Sequence, residues 1–177
     1  MSGLRIPVSN KDHIEGGSGA AVTVVEYGDY QCPYCGDAYG IVKQVQQHFG
    51  NRMRLVFRNF PLTEIHPQAM AAAVLAEYAA THGKFWQAHD ALYEHQSQLG
   101  GELYLAIARK LGLPGDGLRE AFESGEYVAR IQGDMDGGIR SGVNGTPTFF
   151  INGVRFEPRR GFEELLDAVQ AQLNGAG

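Results

Sequence analysis

Cys32-Pro33-Tyr34-Cys35 holds both cysteines of the 177-residue chain, and it lies where one sequence pattern gives way to another. The run before it, Val22-Thr23-Val24-Val25-Glu26-Tyr27, is β-branched and apolar like a buried strand. After it, Tyr39, Val42, Val45 and Phe49 recur at helical spacing. A strand that turns directly into a helix puts the pair at the helix start. Pro33 suits the first helical turn, where its missing N–H costs nothing. Cys32 then falls at or next to the N-cap, with Cys35 one turn in on the same face.

A sulfur at a helix N-terminus feels unpaired N–H groups and the positive end of the helix dipole, and both favour thiolate over thiol. Cys32 is therefore the expected nucleophile. Cys35, covered by the helix, is placed to attack a mixed disulfide at Cys32 and release the partner. The same spacing could also form half of a zinc site. Zinc needs two further ligands, and His13, His48, His66, His82, His89 and His95 contain no His-x-x-x-His pair, nor does the chain hold a second Cys-x-x-Cys.

The strand Val22–Tyr27, the helix Pro33–Phe49 and a strand Met53–Asn59 predict a β-α-β unit with a right-handed crossover and parallel strands. Upstream, Leu4–Val8 reads as a short edge strand and the glycine-rich stretch Ser9–Ala21 as a loop. From Pro61 to Gly142 the pattern is helical: Pro67–Thr81, then helices marked by Phe85 to Tyr93, Leu103 to Leu111, Asp116 to Glu123, and Val128 to Ile139, the last weakened by Gly133, Gly137 and Gly138. Strand signals resume at Thr148–Ile151. Asn152-Gly153 then signals a type I′ turn into Val154–Phe156, and a helix follows over Phe162–Leu173. The order is β-α-β, helices, β-β-α. It predicts an α/β domain formed by residues 1–61 and 143–177, with a helical subdomain, 62–142, inserted into it.

Hydrophobic residues make up 44% of the chain, enough for a sizeable core, and the net charge is −5, so no basic field recommends nucleic acid or an anionic membrane. Arg52, Arg54 and Arg58, and later Arg155, Arg159 and Arg160, read as solvated faces, because neither group is interleaved with stacking aromatics. Met1–Val8 lacks the apolar core of a signal peptide, and no segment approaches membrane-spanning length. The expectation is a cytoplasmic protein without membrane insertion. An extracytoplasmic one is the alternative, if a signal peptide has been removed.

Three stretches together resemble one known family. They are Val25-Glu26-Tyr27-Gly28-Asp29-Tyr30-Gln31-Cys32-Pro33-Tyr34-Cys35, then Phe57-Arg58-Asn59-Phe60-Pro61-Leu62 with His66-Pro67, and finally Val143-Asn144-Gly145-Thr146-Pro147-Thr148-Phe149-Phe150. The chain from about residue 20 to 174 resembles the DsbA-like branch of the thioredoxin-fold thiol:disulfide oxidoreductases, with the helical insertion falling between the second stretch and the third. The resemblance implies a thioredoxin-like fold and a redox-active disulfide formed by Cys32 and Cys35. It also implies a cis bond before Pro147, with Thr146 offering bare backbone to an extended substrate that passes Pro33 and Tyr34. Glu26 matches the family's buried acid, whose raised pKa would let it pass protons to and from Cys35. His66 and His89 read as capping and packing residues.

Tyr34 departs from the strongly oxidising members, which have histidine there. Losing that positive group should weaken thiolate stabilisation and bring the potential to the glutaredoxin range of about −200 to −230 mV. The implied protein is a monomeric enzyme. It acts on protein thiols or disulfides, or on low-molecular-weight ones with glutathione as a co-substrate, and it needs no cofactor beyond its own cysteines. The competing readings are a redox-switched peptide-binding module or chaperone, and a glutathione-dependent isomerase or transferase.

Overall fold

The computed structural model describes residues 3–175, built on a five-stranded mixed sheet in the order β1-β3-β2-β4-β5. β2 (Val22–Gly28) and β3 (Met53–Asn59) pair in parallel from Val22–Met53 to Gly28–Asn59, and α1 (Pro33–Phe49) is the crossover between them. β4 (Thr148–Ile151) lies antiparallel on the other side of β2, so Glu26 is flanked by Phe57 and Phe149. β5 (Val154–Arg155) closes a hairpin through Asn152 and Gly153, whose φ values of 48° and 82° are both positive, as a type I′ turn demands.

Both faces of the sheet are covered, which is why β2 and β3 read as nearly continuous apolar runs. Val22 and Val24 pack with Ala38, Val42, Val45 and Phe49 of α1, and with Leu165 and Val169 of α7 (Leu165–Gly175). A 3-10 turn, Phe162–Glu164, opens that last helical stretch. Val25 and Tyr27 point the other way and pack with Val56, Phe60, Val143 and Phe150.

Between β3 and β4 come α2 (Ala69–Ala80), α3 (Phe85–Glu94), α4 (Gly101–Leu111), α5 (Gly115–Ser124) and α6 (Val128–Arg140). α2 is buried from Ala72 to Ala79, because its alanines admit close neighbours. The glycines that weaken α6 as a helix allow its close approach to the sheet. A Cβ on Gly138 would stand 2.9 Å from the Phe60 ring and 3.0 Å from Tyr27 Cδ1, so the position has no room for a side chain.

Three expectations for the polar surface and the N-terminal arm are corrected. Leu4–Val8 is not a strand: Gly3 makes one isolated bridge to Val154, and the Leu4 N–H donates to the Gly153 carbonyl at 2.9 Å. The edge strand is β1 (His13–Gly16), antiparallel to β3 and inside the stretch expected to be a loop. Arg58 is not solvated but only 3% exposed. Its guanidinium donates to Asp12 at 2.8 and 3.0 Å, to the Tyr27 hydroxyl at 2.9 Å, and to the Ile6 and Pro7 carbonyls at 2.9 and 3.3 Å. Those carbonyls are thereby unavailable to a strand ladder, and Pro7 has no N–H to offer one.

A second polar tie joins arm, sheet and helices. Buried Glu77 of α2 meets His13 Nε2 at 2.8 Å, Arg130 Nε at 2.6 Å and the Asn59 side-chain amide at 2.9 Å.

Candidate active site

The turn from β2 into α1 is held by its own backbone. The Cys32 N–H donates to the Asp29 carbonyl at 3.1 Å, Cys32 takes extended geometry as the N-cap, and Pro33 opens the helix. Cys32 and Cys35 are free thiols 3.8 Å apart. Cys35 is fully buried and Cys32 is 3% exposed, while Pro33 is exposed and Tyr34 stands 67% exposed beside them. The loop entering β4 crosses this helix start. Its Thr146 carbonyl lies 3.5 Å from Cys32 Sγ, and the Thr146–Pro147 peptide is cis.

The two sulfurs are electrostatically unequal. Cys32 is brought down to about 5, first by a hydrogen bond from the Cys35 thiol, against the opposing effect of burial, and then by Thr146 and the backbone N–H groups of Cys35 and Tyr34. Cys35 is pushed well above the ordinary thiol value by burial, and further by Cys32 and by the charge of Glu26. Its one backbone donor is the Asp29 N–H, 3.5 Å from Sγ. Glu26 is 2% exposed, and burial raises its carboxyl to about 8. Its Oε1 has no hydrogen-bond partner.

This asymmetry fixes a pH profile. A thiol is deprotonated above its pKa, so Cys32 is expected to react with iodoacetamide at a rate that climbs through about pH 5 and levels off before neutrality. An ordinary cysteine, near pH 8.5, would still be gaining reactivity there. Mass spectrometry should place the label on Cys32 alone.

The geometry gathers all seven residues singled out from the sequence into one region: the two cysteines, Pro33, Tyr34, Thr146 and Pro147 around the helix start, and Glu26 beneath it on β2. It also adds residues that sequence reasoning missed. Asp29 is buried. Its carboxylate accepts from the Gln31 N–H at 2.8 Å, the Leu62 N–H at 2.9 Å and His66 Nδ1 at 2.7 Å, tying the cysteine turn to the loop after β3. Gln96, in a 3-10 turn after α3, donates to the carbonyls of Tyr30 and Cys32 at 2.9 and 2.8 Å. Asp29 had a local signal, an acidic side chain in a turn three residues before the N-cap. Gln96 had none. His89 is buried and meets the Tyr30 hydroxyl at 2.9 Å, a packing role. Among the described residues, no three His, Cys, Asp or Glu side chains form a group able to hold a metal ion.

A β-α-β unit with paired cysteines at its helix start, a proline loop laid across them and five helices ahead of the closing hairpin defines a thioredoxin-fold dithiol protein. A family profile described as thioredoxin matches residues 9–171. The chain belongs to this thioredoxin family.

A thioredoxin-like oxidoreductase from Silicibacter pomeroyi is 29% identical, with 96% of this chain and 95% of that one covered and a TM-score of 0.77. BdbD from Bacillus subtilis, at 23% identity, 92% coverage of both chains and a TM-score of 0.81, shares the fold. So does Wolbachia pipientis alpha-DsbA1, at 19% identity, 98% and 96% coverage and a TM-score of 0.82.

Among curated sequences, the chain is 43% identical over 173 residues to Na(+)/H(+) antiporter NhaA 1 of Salinispora arenicola, covering 97% of this chain and 26% of that protein. It is 36% identical over 164 residues to Na(+)/H(+) antiporter NhaA of Herminiimonas arsenicoxydans, covering 93% and 26%. It thus spans about a quarter of the length of these relatives. Their names correct the expectation of a cytoplasmic protein, because an ion antiporter works across a membrane. The composition of Met1–Val8 was therefore no guide to compartment. Among the described residues, no helix is long and apolar enough to cross a membrane.

Proposed function

We propose that the chain is a protein thiol:disulfide oxidoreductase in which Cys32 attacks and Cys35 resolves. The observation that carries this reading is the unequal pair: Cys32 at the helix start, whose ionisation its neighbours favour, 3.8 Å from fully buried Cys35, whose ionisation burial opposes. In the reductive direction the Cys32 thiolate attacks a substrate disulfide, one substrate sulfur leaves with the bonding electron pair, and a mixed disulfide forms. Cys35 then loses its proton to Glu26 and attacks Cys32. The Cys32–Cys35 bond forms, and the second substrate sulfur departs as thiolate. Run backwards, the same steps oxidise a substrate dithiol, and the protonated Glu26 supplies the proton that the leaving Cys35 takes up.

Substrate docks in extended form along Thr146 and Pro147, with exposed Pro33 and Tyr34 as the opposite wall. The parts formed by 1–61 and 143–177 carry the chemistry, and 62–142 braces the cysteine turn through Gln96 and through Leu62 and His66, which hold Asp29. Protein thiols are the main substrates, glutathione is the low-molecular-weight one, and the protein acts as a monomer. The relatives named as antiporters favour a membrane cation transporter as one protein whose thiols it serves.

Insulin reduction with added thiol, set beside refolding of a reduced substrate, tests the reading and its direction. Activity should vanish in Cys32→Ser, and full activity in that variant would overturn the mechanism. With Tyr34 rather than histidine between the cysteines, glutathione titration is expected to give about −200 to −230 mV.

A further inference from the structure

Three tyrosines stack beside the cysteine helix, and their hydroxyls differ in one respect. The Tyr30 hydroxyl bonds His89 and the Tyr39 hydroxyl bonds Glu94, but that of Tyr93, on α3, is buried and has no partner. The Tyr93 ring is gripped by Tyr30, Tyr39 and His89 at centroid distances of 4.9, 5.2 and 5.1 Å, so its oxygen is aimed rather than loose. Burying an unpaired hydroxyl is costly, and phenylalanine would fill the same space without that cost.

The oxygen lies against the end of β2, the strand that leads into the cysteine turn. A Cβ built on Gly28 would lie 3.1 Å from it, and Gly28 precedes Asp29, whose N–H touches the Cys35 sulfur. Glu26, two residues earlier on the same face of β2, also carries an unpartnered buried oxygen. Of the charges that act on Tyr93, Cys35 acts most strongly and Glu26 next.

We propose that the Tyr93 hydroxyl, brought in by the helical insert, is the hydrogen-bond donor that steadies negative charge as it passes between Glu26 and Cys35. The inference rests on the oxidoreductase reading above. During resolution the Cys35 proton goes to the Glu26 carboxylate, the Cys35 sulfur forms its bond to Cys32, and the substrate sulfur takes the electron pair of the bond that breaks. In that step the charge starts on a carboxylate and moves through a sulfur, both in a dry interior. Tyr93 keeps its own proton throughout and donates to whichever atom is negative.

Stopped-flow reaction with dithiobis(nitrobenzoate), an aromatic disulfide, tests this. The first aromatic thiolate released reports attack by Cys32, and the second reports resolution by Cys35. In Tyr93→Phe the first phase is expected to keep its rate, while the second slows about tenfold and its pH midpoint moves upward, as befits the loss of one hydrogen bond to a charged group. Tyr39→Phe, from the same stack, should alter neither phase. An unchanged second phase in Tyr93→Phe, or equal slowing of both phases, would overturn the proposal. If wild-type protein released no thiolate at all, the oxidoreductase reading itself would fall, and this inference with it.

Discussion

Cys35→Ser is expected to lock the protein to its substrates. Its Cys32 remains at a helix start with backbone N–H groups beside it, so the attacking sulfur should still form mixed disulfides. The Cys35 thiol is the largest single cause of the ready ionisation of Cys32, and a serine hydroxyl in its place can still donate. What disappears is the sulfur 3.8 Å away that would displace the substrate. Well-oriented intramolecular groups reach effective molarities of about 10⁵ M, so even a small part of that advantage far exceeds millimolar external thiol. Release should therefore slow by on the order of 10³-fold or more. Non-reducing electrophoresis after exposure to cell extract should show adducts that thiol dissolves. Rapid turnover without adducts would mean that external thiol, not Cys35, performs the second step. The trapped species would also identify the substrates, including any membrane transporter among them.

The second large effect concerns the fold. Arg58→Met is expected to cost about 3–5 kcal/mol, because it leaves the Asp12 carboxylate in a mostly buried position with its cation gone. That is a large share of the roughly 5–15 kcal/mol that holds a domain together. Burial opposes ionisation of Asp12, but the Arg58 hydrogen bond, the Ser9 N–H and the Arg58 charge together hold it below its usual value. A carboxyl with a lowered folded-state pKa contributes stability above its unfolded value of about 3.9, and loses that contribution as pH falls through the folded one. The gap between wild type and Arg58→Met in urea denaturation should accordingly be widest near neutrality and shrink in acid. A loss below about 1 kcal/mol would mean that the N-terminal arm is not anchored here.

What the sequence disclosed was local. α1 begins and ends where Pro33 and Phe49 mark it, β3 spans Met53–Asn59 as its pattern implies, and the Asn152-Gly153 turn follows from glycine chemistry. Each of these is decided within a few residues of itself. β1 was hidden for the opposite reason. Its four residues are strand only because β3 offers an edge, and because His13 and Glu15 find partners on α2 and α1. Arg58 looked solvated because it alternates with Arg54, and only an arm folding back from 46 residues away buries it.

The site divided in the same way. Cys32, Cys35 and Glu26 could be read from one continuous stretch, whereas Gln96 reaches Cys32 across 64 positions with no pattern to announce it.

The amide of Gln96 bears on engineering. A chimera that joined β3 to β4 by a plain connection would keep every residue from Glu26 to Cys35, yet the peptide oxygens of Tyr30 and Cys32 would each lose the Gln96 donor, leaving that of Cys32 only the Gly36 N–H. Transplanting the cysteine segment into a smaller relative should therefore carry over its spacing but not its poise. A designer who wants to retune such a couple has a handle outside the dipeptide between the cysteines, in a glutamine far along the chain.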